Sequence, residues 1–570
     1  VERRTEAFVG GAWRVVARTS YVHDAEGRVV RETDLAGRVT ETGWDCCRKI
    51  SESRPDGSRT TYAYDADGRL VAESRLTALD LTNDTWVTTC HRHDGLGRVV
   101  ATWTTNYEHG VGLPATTTAY DALGRVAATT DALGNTKRTA YSPDGLTQTV
   151  TNPNGATRIV ARNADGTVAS VAGTAVLPEF TTRGILPDGT KWTRTVRGAA
   201  PESPRFAVRY ENMLGQTVRE EKPGFGATVL ITSYAYDEYG HRISETFSCR
   251  RKDETVLELL SATLNRYDFD GTLIVSARDV NLNGVIDFTG PDRVSGNVVS
   301  YVLVDDDVWR ETVQVSYPDS GNERAVVTAR TREKLTGLGH FVSVSEAENV
   351  HGVVSVMTET IDRNTGLIVF ATKVPTSSQP QLHSHRCGKV VESISTTSVT
   401  NHHVYDVLGR LVINRDGRGN ATRTVYDGFG RIAYVENAAS NRTSYAYDVY
   451  GRKVTTTDAM GNTVHTAYDL RGNVVRRWGA TSTVWYEYDD ASGRLVAMAT
   501  TRDTSLNPEQ NASLDHPLLD VTRWLYDEAT GLLTNKVYAN GNGPVYAYTP
   551  DGKLARRTWA RGVVTAYGYN

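Results

Sequence analysis

Apolar and polar residues alternate in short runs along most of the chain. Thr443-Ser444-Tyr445-Ala446-Tyr447 and Thr463-Val464-His465-Thr466-Ala467-Tyr468 are typical, rich in β-branched and aromatic side chains. A period of two in such residues predicts half-exposed strands. Turn-forming residues separate the runs about every ten residues. No long amphipathic helix is predicted anywhere.

The pattern repeats. Tyr405-Asp406, Tyr426-Asp427, Tyr447-Asp448 and Tyr468-Asp469 follow one another at steps of 21, and Tyr488-Asp489 comes after 20. Tyr120-Asp121 is followed at 21 by Tyr141-Ser142, and Tyr64-Asp65, Tyr236-Asp237, Tyr267-Asp268 and Tyr526-Asp527 carry the same dipeptide. Each pair opens a turn, closed by Gly-Arg in Gly409-Arg410, Gly430-Arg431 and Gly451-Arg452. The Asp side chain can accept a backbone N–H two residues on, and the Gly can take positive φ in a hairpin with a bulge. A second turn lies half a repeat later, as in Asp458-Ala459-Met460-Gly461-Asn462 and Asp131-Ala132-Leu133-Gly134-Asn135. One repeat is therefore two strands and two turns. The tyrosines fall on every second strand, about 9.6 Å apart, where packing and turn-clamping are their expected roles.

The whole chain then holds on the order of 50 strands. A flat sheet of that width is excluded, because sheets twist and rarely pass about ten strands without curling. Two all-β solutions remain: one antiparallel meander wound into a spiral, or tandem β-propellers. A propeller predicts a marker every four strands, about 42 residues. The marker recurs every two strands, which favours the spiral.

The Tyr-Asp-x-x-Gly-Arg turn with an intervening Gly-Asn turn resembles the YD repeat of the Rhs family. That family includes bacterial Rhs polymorphic toxins, insecticidal toxin complex C components, wall-associated repeat proteins and teneurin-like repeats. The resemblance is dense over 400–495, good over 20–160, patchy from 160 to 400, and returns over 520–570. It implies a hollow, shell-like β-sheet. It implies either a wall around a C-terminal toxin or cargo domain beyond Asn570, or an extracellular adhesion or carbohydrate-binding scaffold whose partners are cell-surface glycans. A secreted or cell-surface location follows from either. The Asp-Pro-x-Gly element that usually ends such a toxin core is missing, since the sequence has no Asp-Pro dipeptide. The chain is expected to be a piece of a longer protein. Three segments are expected: 1–160 with YD repeats, 161–400 with irregular repeats and insertions, and 401–570 with regular repeats.

Composition narrows the function classes. The 570 residues carry 63 Lys+Arg against 67 Asp+Glu, a net charge of −4. No basic stripe for nucleic acid is expected from that balance. No run approaches the length of a membrane-spanning helix. Five cysteines give no disulfide framework. No nucleophile, zinc or phosphate-loop motif is present, and most carboxylates occupy the repeat turn, so a non-enzymatic protein is expected.

One stretch suggests metal chemistry. Asp279-Val280-Asn281-Leu282-Asn283-Gly284-Val285-Ile286-Asp287 matches the first nine positions of an EF-hand-type loop. Asp279, Asn281, Asn283, the Val285 carbonyl and Asp287 would offer oxygens to a structural Ca²⁺. Gly290 stands where the closing Glu belongs, and Asp292 is the candidate substitute after a bend at Pro291. The bland reading is an Asx-Gly turn without an ion. His383, His385 and Cys387 alternate near His402 and His403, but their spacing matches no standard zinc motif. A polar strand face is the plainer reading.

Overall fold

The computed structural model describes residues 1–569, apart from 252–256, 318–324, 363–365, 502, 504–505, 508 and 510–513. Asn570 lies outside the described residues. All regular structure among the described residues is β: 47 strands in one sheet. Chain neighbours pair antiparallel from Glu2–Val9 to Val564–Ala566. The single departure lies at Val99–Asn106. It pairs with the two-residue strand Val111–Gly112 near its end and with Thr116–Tyr120 nearer its middle. One unbroken sheet excludes separate propeller blades.

Strand length tracks the repeat. In the regular region strands run five or six residues, as in Lys453–Thr457 and Thr463–Tyr468. Where the period breaks they lengthen, to 12 residues in Arg293–Val304 and 11 in Asp307–Tyr317. The sheet runs through the expected segment limits near 160 and 400, at Thr157–Arg162 and Thr400–Tyr405. Those limits mark changes in regularity along one ribbon.

The ribbon meets itself one coil later. The Tyr405 N–H donates to the Leu79 carbonyl at 2.7 Å, and the Phe225 N–H to the Pro550 carbonyl at 3.2 Å. Arg386 pairs with Asp84 across 302 residues at 2.7 Å. Arg14 reaches the Asp306 carbonyl across 292 residues. A coil therefore takes about half the strands, and the chain makes just under two coils.

Every such contact joins the same two edges. The ribbon has a tyrosine edge, with the turns that follow the Tyr-Asp pairs, and an asparagine edge, with the Gly-Asn turns. The asparagine edge of the first coil sits on the tyrosine edge of the second. The first strand, Glu2–Val9, and the last, Val564–Ala566, do not pair with each other, so the sheet is open.

A single-layer ribbon buries little. The accessible surface is 32,581 Å², whereas a compact monomer of 62.5 kDa exposes roughly 20,000 Å². Two small apolar clusters stand out. One joins the coils, packing Ala7, Val9 and Val16 against Val308. The other packs Trp485 and Ala499 against Leu519. Most cohesion must come from ladder hydrogen bonds and repeat-to-repeat contacts.

Candidate functional site

The repeated turn is the chain's most developed side-chain arrangement. In Asp406–Arg410 the Leu408 and Arg410 N–H groups donate to Asp406 Oδ1 at 3.0 and 2.9 Å, and Arg410 Nε donates to Oδ2 at 2.7 Å. The Gly409 N–H closes on the Asp406 carbonyl at 2.8 Å with φ +76°. That φ favours glycine because a Cβ would clash with the backbone. The ladder shifts register between Val404 and Tyr405, so a bulge turns the tyrosine as the strand ends. Asp427 with Arg431 and Asp448 with Arg452 repeat the geometry. Asp469 clamps Asn473 in place of an arginine.

Each turn is tied to the next repeat. The Arg410 guanidinium lies 4.4 Å from the Tyr426 ring centre, and the Tyr426 hydroxyl donates to the Leu411 carbonyl at 3.0 Å. Arg431 covers Tyr447 at 4.4 Å, and Tyr447 donates to the Ile432 carbonyl at 2.8 Å. Arg452 covers Tyr468 at 5.0 Å, and Tyr468 donates to the Lys453 carbonyl at 2.7 Å. Lys389 takes the arginine's place over Tyr405, whose hydroxyl reaches the Val390 carbonyl at 2.7 Å. Each tyrosine links two hairpins, and the arginine between them is oriented by its own aspartate. Each contact is worth on the order of 1 kcal/mol, and repetition makes the sum large. The Arg98 guanidinium, then its backbone N–H, keeps the Asp94 carboxyl below the usual range, with burial opposing.

The seam between coils has its own polar line. Asn106 is fully buried and donates to Thr85 Oγ1 at 2.8 Å and to the Val407 carbonyl, 301 residues away, at 2.8 Å. Its Oδ1 accepts the His109 N–H at 3.1 Å. Asn135 donates to the Val449 carbonyl at 2.7 Å across 314 residues, and Asn154 to the Leu470 carbonyl at 3.0 Å across 316. Leu133 approaches Gly451 so closely that a Cβ there would stand 3.0 Å from it. Sequence reasoning places Asn135 in a turn but not at a seam. The missing signal is the coil period, a property of curvature.

The 279–292 loop is compact. Asp279 and Asp292 are 2% and 6% exposed. Asp279 accepts the Asn283 and Gly284 N–H groups at 3.2 and 2.8 Å, and Asp292 accepts those of Val280 and Asp287 at 2.9 and 3.1 Å. Asn281 and Asn283 turn their amide N–H groups toward Asp287 Oδ2 at 3.0 and 2.7 Å. Asn283 Oδ1 accepts the Val285 N–H at 2.8 Å. Gly284 has φ +76° and Leu282 φ +58°. Among the described residues no three acidic, histidine or cysteine groups converge where they could hold an ion.

His383 and His385 lie on the strand Gln381–Arg386, where Ser384 is buried, so this stretch is sheet rather than exposed loop. Cys387 sits in the following turn at φ +45°, which removes it from the alternating face. His402 pairs instead with Glu392 at 3.4 Å. All five cysteines are free thiols.

The fold and the ladder define a class: a coiled β-hairpin ribbon held by a Tyr-Asp-Arg relay. The family described as RHS Repeat matches residues 120–157. Among solved structures, the Photorhabdus luminescens Tc holotoxin pore aligns over 96% of this chain and 38% of its own, at TM-score 0.51 and 11% identity. A TcdB2-TccC3 crystal structure aligns over 96% and 36%, at TM-score 0.43 and 10% identity. The chain thus spans about 38% of the length of the holotoxin chain it matches. No curated protein sequence matches it. Residues 120–157 are thus similar to the RHS repeat, and the chain as a whole shares the fold of the Tc holotoxin chain.

Proposed function

We propose that the chain is a stretch of the wall of a non-enzymatic RHS shell, enclosing a C-terminal toxin or cargo polypeptide beyond Asn570, in a secreted or cell-surface protein. The observation that carries the reading is the single-layer ribbon wound on itself, whose surface exceeds that of a compact protein of its mass by more than half. Such a wall divides space, and a polypeptide inside it would be out of reach of proteases. The likeness to the Tc holotoxin chain supports the wall and is silent on its contents.

The test is a C-terminal fusion of a small protease-sensitive reporter to the 570-residue chain. Trypsin half-life of the reporter is compared in cis and with the two proteins merely mixed. Containment predicts at least tenfold longer survival in cis. Equal half-lives would refute containment by this stretch of wall.

A structural Ca²⁺ in the 279–292 loop is a separable part of the reading. It is supported by two deeply buried carboxylates, Asp279 and Asp292, with only backbone N–H partners recorded. Millimolar Ca²⁺ should raise the melting temperature, millimolar Mg²⁺ should not, and Asp279→Asn should abolish the difference. No Ca²⁺-dependent shift would remove the ion from the reading.

A further inference from the structure

Two consecutive tyrosine-edge turns of the second coil depart from the repeat. Asp406–Arg410, Asp427–Arg431 and Asp448–Arg452 each close with the aspartate N–H on the arginine carbonyl. In Asp489–Arg494 and Asp527–Leu532 the same closure spans one residue more. Across the seam lies the first-coil loop between Lys191–Arg197 and Phe206–Glu211, closed by the Arg197 N–H on the Arg205 carbonyl at 2.9 Å. It takes nine residues where the asparagine-edge turn Asp416–Asn420 takes five. Three insertions, far apart in the chain, thus meet at one place and enclose a cavity of about 430 Å³.

The longer turns release charges that the regular turn pairs. In the regular turn the arginine Nε donates to the aspartate, as Arg452 does to Asp448 at 2.7 Å. In Asp489–Arg494 the Ser492 N–H donates to Asp489 Oδ1 at 2.6 Å, and Arg494 turns away to the Gly531 carbonyl. Asp527–Leu532 has no arginine, and Asp527 Oδ1 accepts the Thr530 N–H and hydroxyl at 2.8 and 2.6 Å. The Oδ2 atoms of Asp489 and Asp527 have no partner among the described residues. Of the arginines that line the cavity, Arg197 pairs with Glu179 and Arg523 with Asp515, both at 3.0 Å. The Arg205 guanidinium has no hydrogen bond or ion pair among the described residues, and its Nε is buried. Burial, then the Arg494 charge, pushes Arg205 below its ordinary pKa, with Asp489 and Asp527 opposing. Buried polar groups are ordinarily paired, so a guanidinium near carboxylates that it does not reach calls for an occupant. Val496, Trp524 and Leu525 supply an apolar wall, with Leu525 49% exposed.

A lone anion would satisfy Arg205 but face Asp489 and Asp527, and a lone cation would do the reverse. A ligand carrying both charges on one carbon meets both, through charge-assisted hydrogen bonds. We propose that this cavity binds a free α-amino acid with an apolar side chain. Its α-carboxylate pairs with Arg205, its α-ammonium with Asp489 and Asp527, and its side chain lies on Val496, Trp524 and Leu525. A residue inside a peptide lacks both charges, so the site selects the free amino acid. The bound ligand touches both coils. The site is independent of any cargo and of Ca²⁺.

Isothermal titration of the full chain with L-leucine and with L-phenylalanine provides the test. At least one of them should bind saturably, at one site per chain. Its N-acetyl and amide derivatives, each with one charge removed, should bind at least tenfold more weakly. L-serine, which lacks the apolar side chain, should do the same. Arg205→Gln and Asp489→Asn should each weaken binding at least tenfold. Arg205→Gln removes a head group without partners, and Asp489→Asn keeps an oxygen for the Ser492 N–H, so circular dichroism should match the wild type. Several results would each overturn the proposal: no saturable binding of either amino acid, a derivative or L-serine that binds like the parent, or a folded variant that binds like the wild type.

Discussion

Asn106 offers the sharpest test of how the coils are joined. Its side chain is fully buried and makes three hydrogen bonds: to Thr85 Oγ1, to the Val407 carbonyl and from the His109 N–H. Asn106→Ala removes all three and leaves the Val407 carbonyl without this donor. At about 0.5–1.5 kcal/mol for each net bond, plus desolvation of any partner left unpaired, the loss is about 2–4 kcal/mol. Asn135→Ala breaks one cross-coil bond at an exposed turn and should cost about 1 kcal/mol or less. Global unfolding is a poor readout for a long repeat array, whose cooperativity can break down. The Tyr405 amide is a better one, because it donates across the same seam to the Leu79 carbonyl at 2.7 Å. Its hydrogen-exchange protection should fall by about 30- to 1,000-fold in Asn106→Ala, at 1.4 kcal/mol per factor of ten. Amides in the Thr463–Tyr468 strand should keep theirs. A Tyr405 protection within threefold of wild type, in a variant with unchanged circular dichroism, would refute the claim that Asn106 holds the seam.

Three further outcomes are expected. Tyr447→Phe keeps the ring under Arg431 but loses the bond to the Ile432 carbonyl, about 1 kcal/mol, so amides of the adjoining Ile432–Glu436 strand should exchange about fivefold faster; unchanged exchange there would make the hydroxyl ornamental. Asp24 and Asp94 are held below the usual carboxylate range, first by the side-chain hydrogen bonds of Arg28 and Arg98. A carboxylate with a depressed folded pKa stabilises the fold above its unfolded pKa and loses that contribution as pH falls through the folded value. Melting temperature should therefore hold from neutrality to about pH 5 and drop below about pH 4, with Asp94→Asn flattening its share of the drop. In solution scattering the radius of gyration should clearly exceed the roughly 25 Å of a compact chain of this length; a value near it would exclude an open coil.

The local structure was legible because it is made of near neighbours. A Tyr-Asp pair, a Gly and an Arg within six residues fix the turn, the positive φ and the Asp–Arg clamp, and the step of 21 fixes two strands per repeat. Antiparallel pairing with chain neighbours follows from short turns alone. The sequence also excluded a flat sheet, since twist forbids one so wide. It could not show that Asn106 and Val407, 301 residues apart, would touch. That distance is set by the ribbon's curvature, the sum of small twists over about half its 47 strands, and no single residue encodes it. The calcium-like spacing at 279–287 is a one-dimensional match. Only the folded loop decided that Asn281 and Asn283 turn toward Asp287 while Asp279 and Asp292 hold backbone N–H groups. The sequence by itself determined the repeat and its turn chemistry, because those interactions close within one hairpin. The tertiary structure decided which turns are covered and which remain free, because that depends on where the ribbon meets itself.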